Sequence, residues 1–170
     1  MNHIVETERL VLRELDSATD AEFIFALLNT PKFLQYIGDR GVRTVGEAAV
    51  FIDERYRQSY RDHGYGLYTV ARKDNDAQVG MCGFVKRDNF EFPDIGFAFL
   101  PEYERMGYGF ESATAMLEYG HQTLGFSRVL AITSPDNDAS GKLLAKLGFA
   151  FDDIEEMPNG ETLKVFSINL

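Results

Sequence analysis

Along the chain, stretches where apolar and polar residues alternate are separated by stretches where apolar residues recur every three or four positions, the periods of strand and helix. In residues 9–13, Leu10 and Leu12 fall on one face and Arg9 and Arg13 on the other, which predicts a strand. Thr19-Asp20-Ala21-Glu22 has the form of a capping box and predicts a helix carrying Phe23, Ala26 and Leu27. A second such box, Thr44 to Glu47, opens a helix with Ala48, Phe51, Ile52 and Tyr56 at helical spacing, and Gly64 ends it after His63. Residues 65–71 and 79–85 read as strands joined by the turn Asp74-Asn75-Asp76, and residues 88–93 as a polar loop containing Phe90 and Phe92. Residues 95–100 read as a strand buried on both faces and ended by Pro101.

A helix over residues 107–124 carries Ala113, Leu117 and Leu124 on one stripe and stops at Gly125. There follow a strand at 128–133, a loop at 134–137 and a short helix at 139–147 stopped by Gly148. Two strands flanking Asn159-Gly160, a strong tight-hairpin signal, close the chain. The order β-α-α-β-β-β-α-β-α-β-β predicts an α/β (α+β) fold, a mixed sheet with helices on both faces.

At 170 residues and 45% hydrophobic, with no linker, repeat or charge block, the chain reads as one domain over residues 1–170. The net charge of −10 speaks against general nucleic-acid binding, which needs a basic face to displace counterions. It favours a cationic substrate, although acidity for solubility alone is the plainer explanation. The single cysteine, Cys82, forms no internal disulfide, fits a reducing compartment and reads as a small core residue. No basic-then-apolar leader and no apolar run of about 18 residues is visible, so a soluble cytoplasmic protein without a membrane segment is expected. His3, His63 and His121 lie far apart with no cysteine or carboxylate at ligand spacing, and no metal is expected.

One local arrangement carries candidate chemistry. The strand at 95–100 runs into Arg105-Met106-Gly107-Tyr108-Gly109-Phe110, where a helix begins. Glycines at such a junction let the backbone approach a ligand, and the free amides of the first helical turn favour a phosphate. A plain glycine turn is the alternative. The segment is not a P-loop, lacking the Lys-Ser/Thr pair, and Ser112 holds the third glycine's place of a dinucleotide fingerprint.

Further along stand Asn137, Ser140 and the closing Lys146-Leu147-Gly148-Phe149. Together with Thr7-Glu8-Arg9-Leu10-Val11-Leu12-Arg13, Ile95-Gly96-Phe97, Gly107-Tyr108-Gly109 and Glu111, this ordered set resembles the GNAT superfamily of acetyl-CoA-dependent N-acetyltransferases, in its ribosomal-protein N-acetyltransferase-like (RimJ/RimL-like) branch. The resemblance spans nearly the whole chain and implies a mostly antiparallel central sheet. It implies that the diphosphate of coenzyme A rests on main-chain amides of Arg105, Met106, Gly107, Tyr108, Gly109 and Phe110. It implies that the pantetheine arm pairs with the backbone of Phe97, Ala98 and Phe99 where two parallel strands part, that Asn137 contacts the arm, and that Ser140 lies near the sulfur. Two departures stand out: Glu104 and Arg105 occupy places that often hold Gln or Arg followed by Gly, and Leu144 replaces the tyrosine that many members use to protonate the thiolate.

Acetyl transfer to an amine requires the ammonium (ordinary lysine pKa about 10.4) to lose a proton, and a donor for the developing oxyanion. Ser140 is the candidate acid, with a helix-capping hydroxyl as its plainer role. Asp94 and Glu91 are the candidate bases, with solvated loop carboxylates as theirs; loss of the proton through ordered water needs neither. His63 and Tyr65 are candidates for an acceptor pocket. The expected activity is direct acetyl transfer from acetyl-CoA to a primary amine, either a protein N-terminus or a small amine or polyamine. A catalytically silent acyl-CoA sensor or scaffold and a nucleotide-binding protein are the alternatives. Homodimers are common in this branch.

Overall fold

The computed structural model describes residues 2–170. Eight strands form one sheet: β1 (His3–Glu6), β2 (Leu10–Arg13), β3 (Leu67–Arg72), β4 (Gln78–Val85), β5 (Asp94–Phe99), β6 (Arg128–Thr133), β7 (Ala150–Glu156) and β8 (Thr162–Asn169). Their spatial order is β1-β2-β3-β4-β5-β6-β8-β7, antiparallel throughout except for the β5/β6 pair. The helices are α1 (Ala21–Leu28), α2 (Val45–Phe51), α3 (Gln58–His63), α4 (Tyr108–Gln122) and α5 (Asp138–Leu147). Alternation along the strands sends side chains to two cores. One gathers Tyr68, Val70, Phe84 and Ile95 with Ala113, Met116 and Leu117 of α4 and Leu144 of α5. The other gathers α1 and α2 with Phe33, Met81, Ala98 and Leu100.

Several expectations are corrected. β1 was not legible, because four residues, two exposed and two half-buried, gain their strand state only by pairing with β2. The box at Thr19 does not form: Asp20 is the N-cap of α1, and its side chain turns inward to Arg13 at 2.8 Å, accepting also from the Asp16 amide and Gln78. A buried carboxylate satisfied by four bonds outweighs a surface cap. At α2 the cap holds, with Thr44 Oγ1 accepting from the Glu47 amide at 3.0 Å. The helix expected to follow is three segments, α2 and α3 joined by a π-helical stretch at Ile52–Arg57. The final hairpin uses a three-residue loop in which only Gly160, at φ +87°, is left-handed, closed by Met157 N–H to the Glu161 carbonyl at 2.7 Å.

The correction that bears on function concerns β5. Its continuous apolar run suggested burial on both faces, yet only Asp94 and Ile95 are buried and residues 96–99 are half-exposed. The neighbouring strand has moved away.

Candidate functional site

The β5/β6 ladder contains only Asp94 opposite Leu130 and Ile95 opposite Ala131. The Leu130 N–H donates to the Pro93 carbonyl at 2.9 Å on the β6 side, and the Leu100 N–H donates to the Val79 carbonyl at 2.9 Å on the β4 side. Main-chain groups alternate along a strand, so the N–H and C=O of Phe97 and Phe99 face the gap that opens beyond Ile95. They form an unpaired strand edge inside the sheet, able to receive an extended chain bearing amides.

At the open end of β5 the chain passes through a 3₁₀ turn (Pro101–Tyr103) into residues 104–107 and then α4. Arg105 at φ +63° and Gly107 at φ +82° are both left-handed, an unusual state for a non-glycine residue. Among the described residues, no protein group accepts from the amides of Arg105 to Phe110. Six consecutive free N–H groups, with left-handed residues interleaved and the positive end of a 15-residue helix behind them, are able to receive an anion and form a candidate cradle. α5 closes it from the β6 side. A Cβ placed on Gly109 would lie 3.2 Å from Leu143 and 3.6 Å from Phe99, and Lys146 Nζ sits 4.4 Å from the Phe110 ring centroid. The structure therefore brings Phe99 and the Gly109–Phe110 turn against Leu143 and Lys146 of α5, the helix that starts at Asp138.

At that start, Asn137 is the helix cap, its Oδ1 accepting from the Ser140 amide at 3.2 Å. The hydroxyl of Ser140 does not cap the turn, since Asn137 already does, and it has no protein partner among the described residues. Leu144 is fully buried in the core, so no side-chain proton donor stands at that position.

The other candidates lie at the closed end of the gap. Asp94 is 3% exposed and accepts from Arg87 Nε at 3.0 Å; burial pushes its carboxyl up to about 6 against the opposing pull of Arg87. About 10 Å of strand separates it from Phe97, three residues at about 3.3 Å each. Glu91 is exposed on the loop before β5. Tyr65 is buried among Phe84 and Phe126, edge-on to both at 6.2 and 5.2 Å. Exposed His63 covers it at 5.8 Å. Tyr65 is thus a core residue, not an open pocket wall.

Sequence reasoning assigned no task to Thr7, Arg9 and Glu111, and the structure shows what they do. Glu111, in the first turn of α4, accepts from Thr7 Oγ1 at 2.5 Å, the Arg9 amide at 3.0 Å and Arg9 Nε at 2.7 Å. Burial pushes its carboxyl up, but these bonds outweigh that and hold it below the ordinary glutamate value. Arg9 also donates to the Met106 carbonyl at 3.0 Å and lies over the Tyr108 ring at 4.6 Å. One arginine thus ties the β1–β2 turn to the middle of the cradle. All three belong to the ordered set that carries the resemblance, but an acidic residue early in a helix does not announce a partner a hundred positions away.

No group of three or more His, Cys, Asp or Glu residues is placed to hold a metal among the described residues, and no helix among them is long and apolar enough to cross a membrane. The sequence profile of the acetyltransferase (GNAT) domain family matches residues 9–150. The chain is 31% identical over 147 residues to the uncharacterized N-acetyltransferase YoaA of Bacillus subtilis, covering 86% of this chain and 82% of that protein. It is 32% identical over 87 residues to the [ribosomal protein uS5]-alanine N-acetyltransferase of Escherichia coli, covering 50% of this chain and 43% of that protein. In fold it is similar to the microcin C7 self-immunity acetyltransferase MccE, solved in complex with acetyl-CoA and AMP. That match has a TM-score of 0.79 at 17% identity and covers 96% of this chain and 94% of the other.

Proposed function

Because the chain belongs to the GNAT acetyltransferase family and is an acyltransferase, we propose that it transfers an acetyl group from acetyl-CoA directly to the primary amine of a protein N-terminus or a small amine. The observation that carries this is the run of six unpaired amides, Arg105 to Phe110, at the open end of a strand whose edge is also unpaired. GNAT-fold acetyltransferases use acetyl-CoA, and both features suit it: a diphosphate needs clustered N–H donors, and an amide-bearing pantetheine needs a strand edge. When bound, acetyl-CoA supplies an acyl thioester.

The chain's own groups then divide the work. Amides 105–110 hold negative charge, and Phe97 and Phe99 orient the arm with strand-like hydrogen bonds. The N–H of one of them is the donor for a carbonyl oxygen in the gap. Ser140, the hydroxyl of the first turn of α5, has no protein partner and is the candidate for returning a proton to sulfur. Asp94, with its carboxyl raised to about 6, is ionised at neutral pH and able to hold the proton leaving the amine, received across the intervening distance through water. Glu91 lies exposed on the loop before β5. The partial similarity to a ribosomal-protein alanine acetyltransferase supports a polypeptide N-terminus as the acceptor.

Leu144, buried at the place where the family resemblance implies a proton-donating tyrosine, favours one other assignment, a silent acyl-CoA-binding module. Thiol release from acetyl-CoA in the presence of peptide N-termini, polyamines and small amines separates the two. Amine-dependent release supports transfer; tight binding of acetyl-CoA with no release for any amine supports the silent module.

A further inference from the structure

Past the Ile95/Ala131 pair, the first residue of β5 without a partner in β6 is Gly96. Its neighbours alternate between the two cores. Ile95, Phe97 and Phe99 pack with α4 and α5, whereas Ala98 and Leu100 pack with α1 and α2. Gly96 shares the face of Ala98, so the α1/α2 face carries no side chain at the closed end of the gap, and the position is half-exposed. The side chain nearest that position belongs to Leu67, the first residue of β3, two strands away. A Cβ built on Gly96 would lie 3.3 Å from Leu67 Cδ2 and 3.9 Å from Val85 Cγ2.

Leu67 reaches so far because Gly83, the residue of β4 between the two, has no side chain. A Cβ there would collide with the Gly66 carbonyl and lie 2.9 Å from Leu67 Cα. The main chain at this point is also held by hydrogen bonds. The Gly66 carbonyl accepts from the Phe84 N–H at 3.0 Å, and the Leu67 carbonyl accepts from Tyr60 Oη of α3 at 2.5 Å. A branched apolar side chain on a backbone fixed in this way is a rigid wall, which discrimination by size requires.

We propose that Leu67, leaning across to Gly96, is a specificity-determining residue that limits the length of the acyl chain this protein accepts. The proposal rests on the assignment of residues 105–110 as the diphosphate cradle and of the β5 edge as the place of the pantetheine arm. An arm laid along that edge from Phe99 toward Phe97 points its acyl end at Gly96. There Ile95 and Phe97 fill the α4 face, and the space left on the other face ends at Leu67.

Calorimetric titration of the full chain with coenzyme A, acetyl-CoA and butyryl-CoA tests this without turnover. An apolar pocket discriminates a single methylene by roughly tenfold or more, so the parent binds butyryl-CoA at least about tenfold more weakly than acetyl-CoA. Leu67→Ala brings the two affinities within about threefold, and Leu67→Val, a smaller cut into the core, gives an intermediate ratio. Gly96→Ala narrows the space and weakens acetyl-CoA by about tenfold, while coenzyme A itself, which bears no acyl group, binds all variants alike. Comparing ligands on one protein cancels any loss of folded fraction. Equal affinities for acetyl-CoA and butyryl-CoA in the parent, or an unchanged ratio in both Leu67 variants, overturns the wall. A parent that binds no coenzyme A removes the cradle assignment, and the wall with it. Binding without thiol release for any amine counts against transfer and leaves the affinity ratios to decide the wall.

Discussion

Replacing Glu111 by glutamine tests whether the cradle is held in shape from outside. The change keeps the side chain's size but removes its charge and one of its acceptor oxygens. Glu111 accepts three hydrogen bonds, from Thr7 Oγ1 and from the backbone and side chain of Arg9. Hydrogen bonds to a charged group contribute about 1.5–3 kcal/mol when well buried. Arg9 is 46% exposed, which limits its ion-pair share to roughly 1 kcal/mol or less. A glutamine oxygen in the Oε2 position can still accept two of the three, from Thr7 Oγ1 and the Arg9 amide. The Arg9 Nε bond and the charge behind all three are lost, so a net loss of about 1–3 kcal/mol is expected. For a chain of this length that lowers Tm by roughly 2–10 °C. Arg9 then loosens its hold on the Met106 carbonyl, and coenzyme A affinity falls about threefold to thirtyfold, since each 1.4 kcal/mol is a factor of ten.

Thermal unfolding and calorimetric titration with coenzyme A, run beside Glu118→Gln on the exposed side of the same helix, measure both effects. The carboxyl of Glu111 lies below its ordinary value in the folded chain, so its contribution is present above the unfolded-state pKa and disappears as pH falls through the folded value. The difference in Tm between parent and variant should therefore shrink in acid. A Glu111→Gln protein with parental Tm and parental coenzyme A affinity would refute the view that this tie supports the cradle.

Gly107→Val forces a β-branched residue into φ +82° and brings its Cβ within 3.2 Å of Arg9 Nη2; a stability loss of about 1–2 kcal/mol and weaker coenzyme A binding are expected by thermal melt and calorimetry. Ser140→Ala removes a hydroxyl that has no structural bond, so kcat should fall while coenzyme A affinity and Tm hold; unchanged kcat would leave Ser140 without a chemical task. Asp94 must be ionised to take a proton and its carboxyl is raised to about 6, so the kcat/KM profile of the parent should fall on the acid side of about pH 6. Asp94→Asn should flatten that limb and lower the plateau, and a variant that keeps the parental profile would exclude Asp94 as the base.

Much of the architecture was legible because it is local. The alternation at Leu10 and Leu12, the cap at Thr44 and the left-handed glycines at 64, 125 and 148 act through a few neighbouring bonds, and short-range patterns record short-range causes. The glycine-bearing junction at 105–110 was legible for the same reason: free amides at a helix start are a property of the chain itself. Strand β5 shows where that logic ends. Its apolar residues report that side chains are shielded on its faces, and carry no information on whether the neighbouring strand stays alongside.

Which strands part, and what lies beside the opening, is decided by contacts between residues far apart in the chain. Glu111 meets Thr7 and Arg9, Glu104 meets Lys32, Ser134 meets Tyr36, and Tyr65 turns from a candidate pocket wall into a core ring once Phe84 and Phe126 close on it. The sequence by itself determined most of the elements, their relative order and the glycine-bearing turn, because each follows from backbone preferences and side-chain periodicity within a few residues. Only the tertiary structure decided how little of β5 pairs with β6 and which residues tie the junction in place, because those depend on pairings whose energy exists only after the sheet has brought distant residues together.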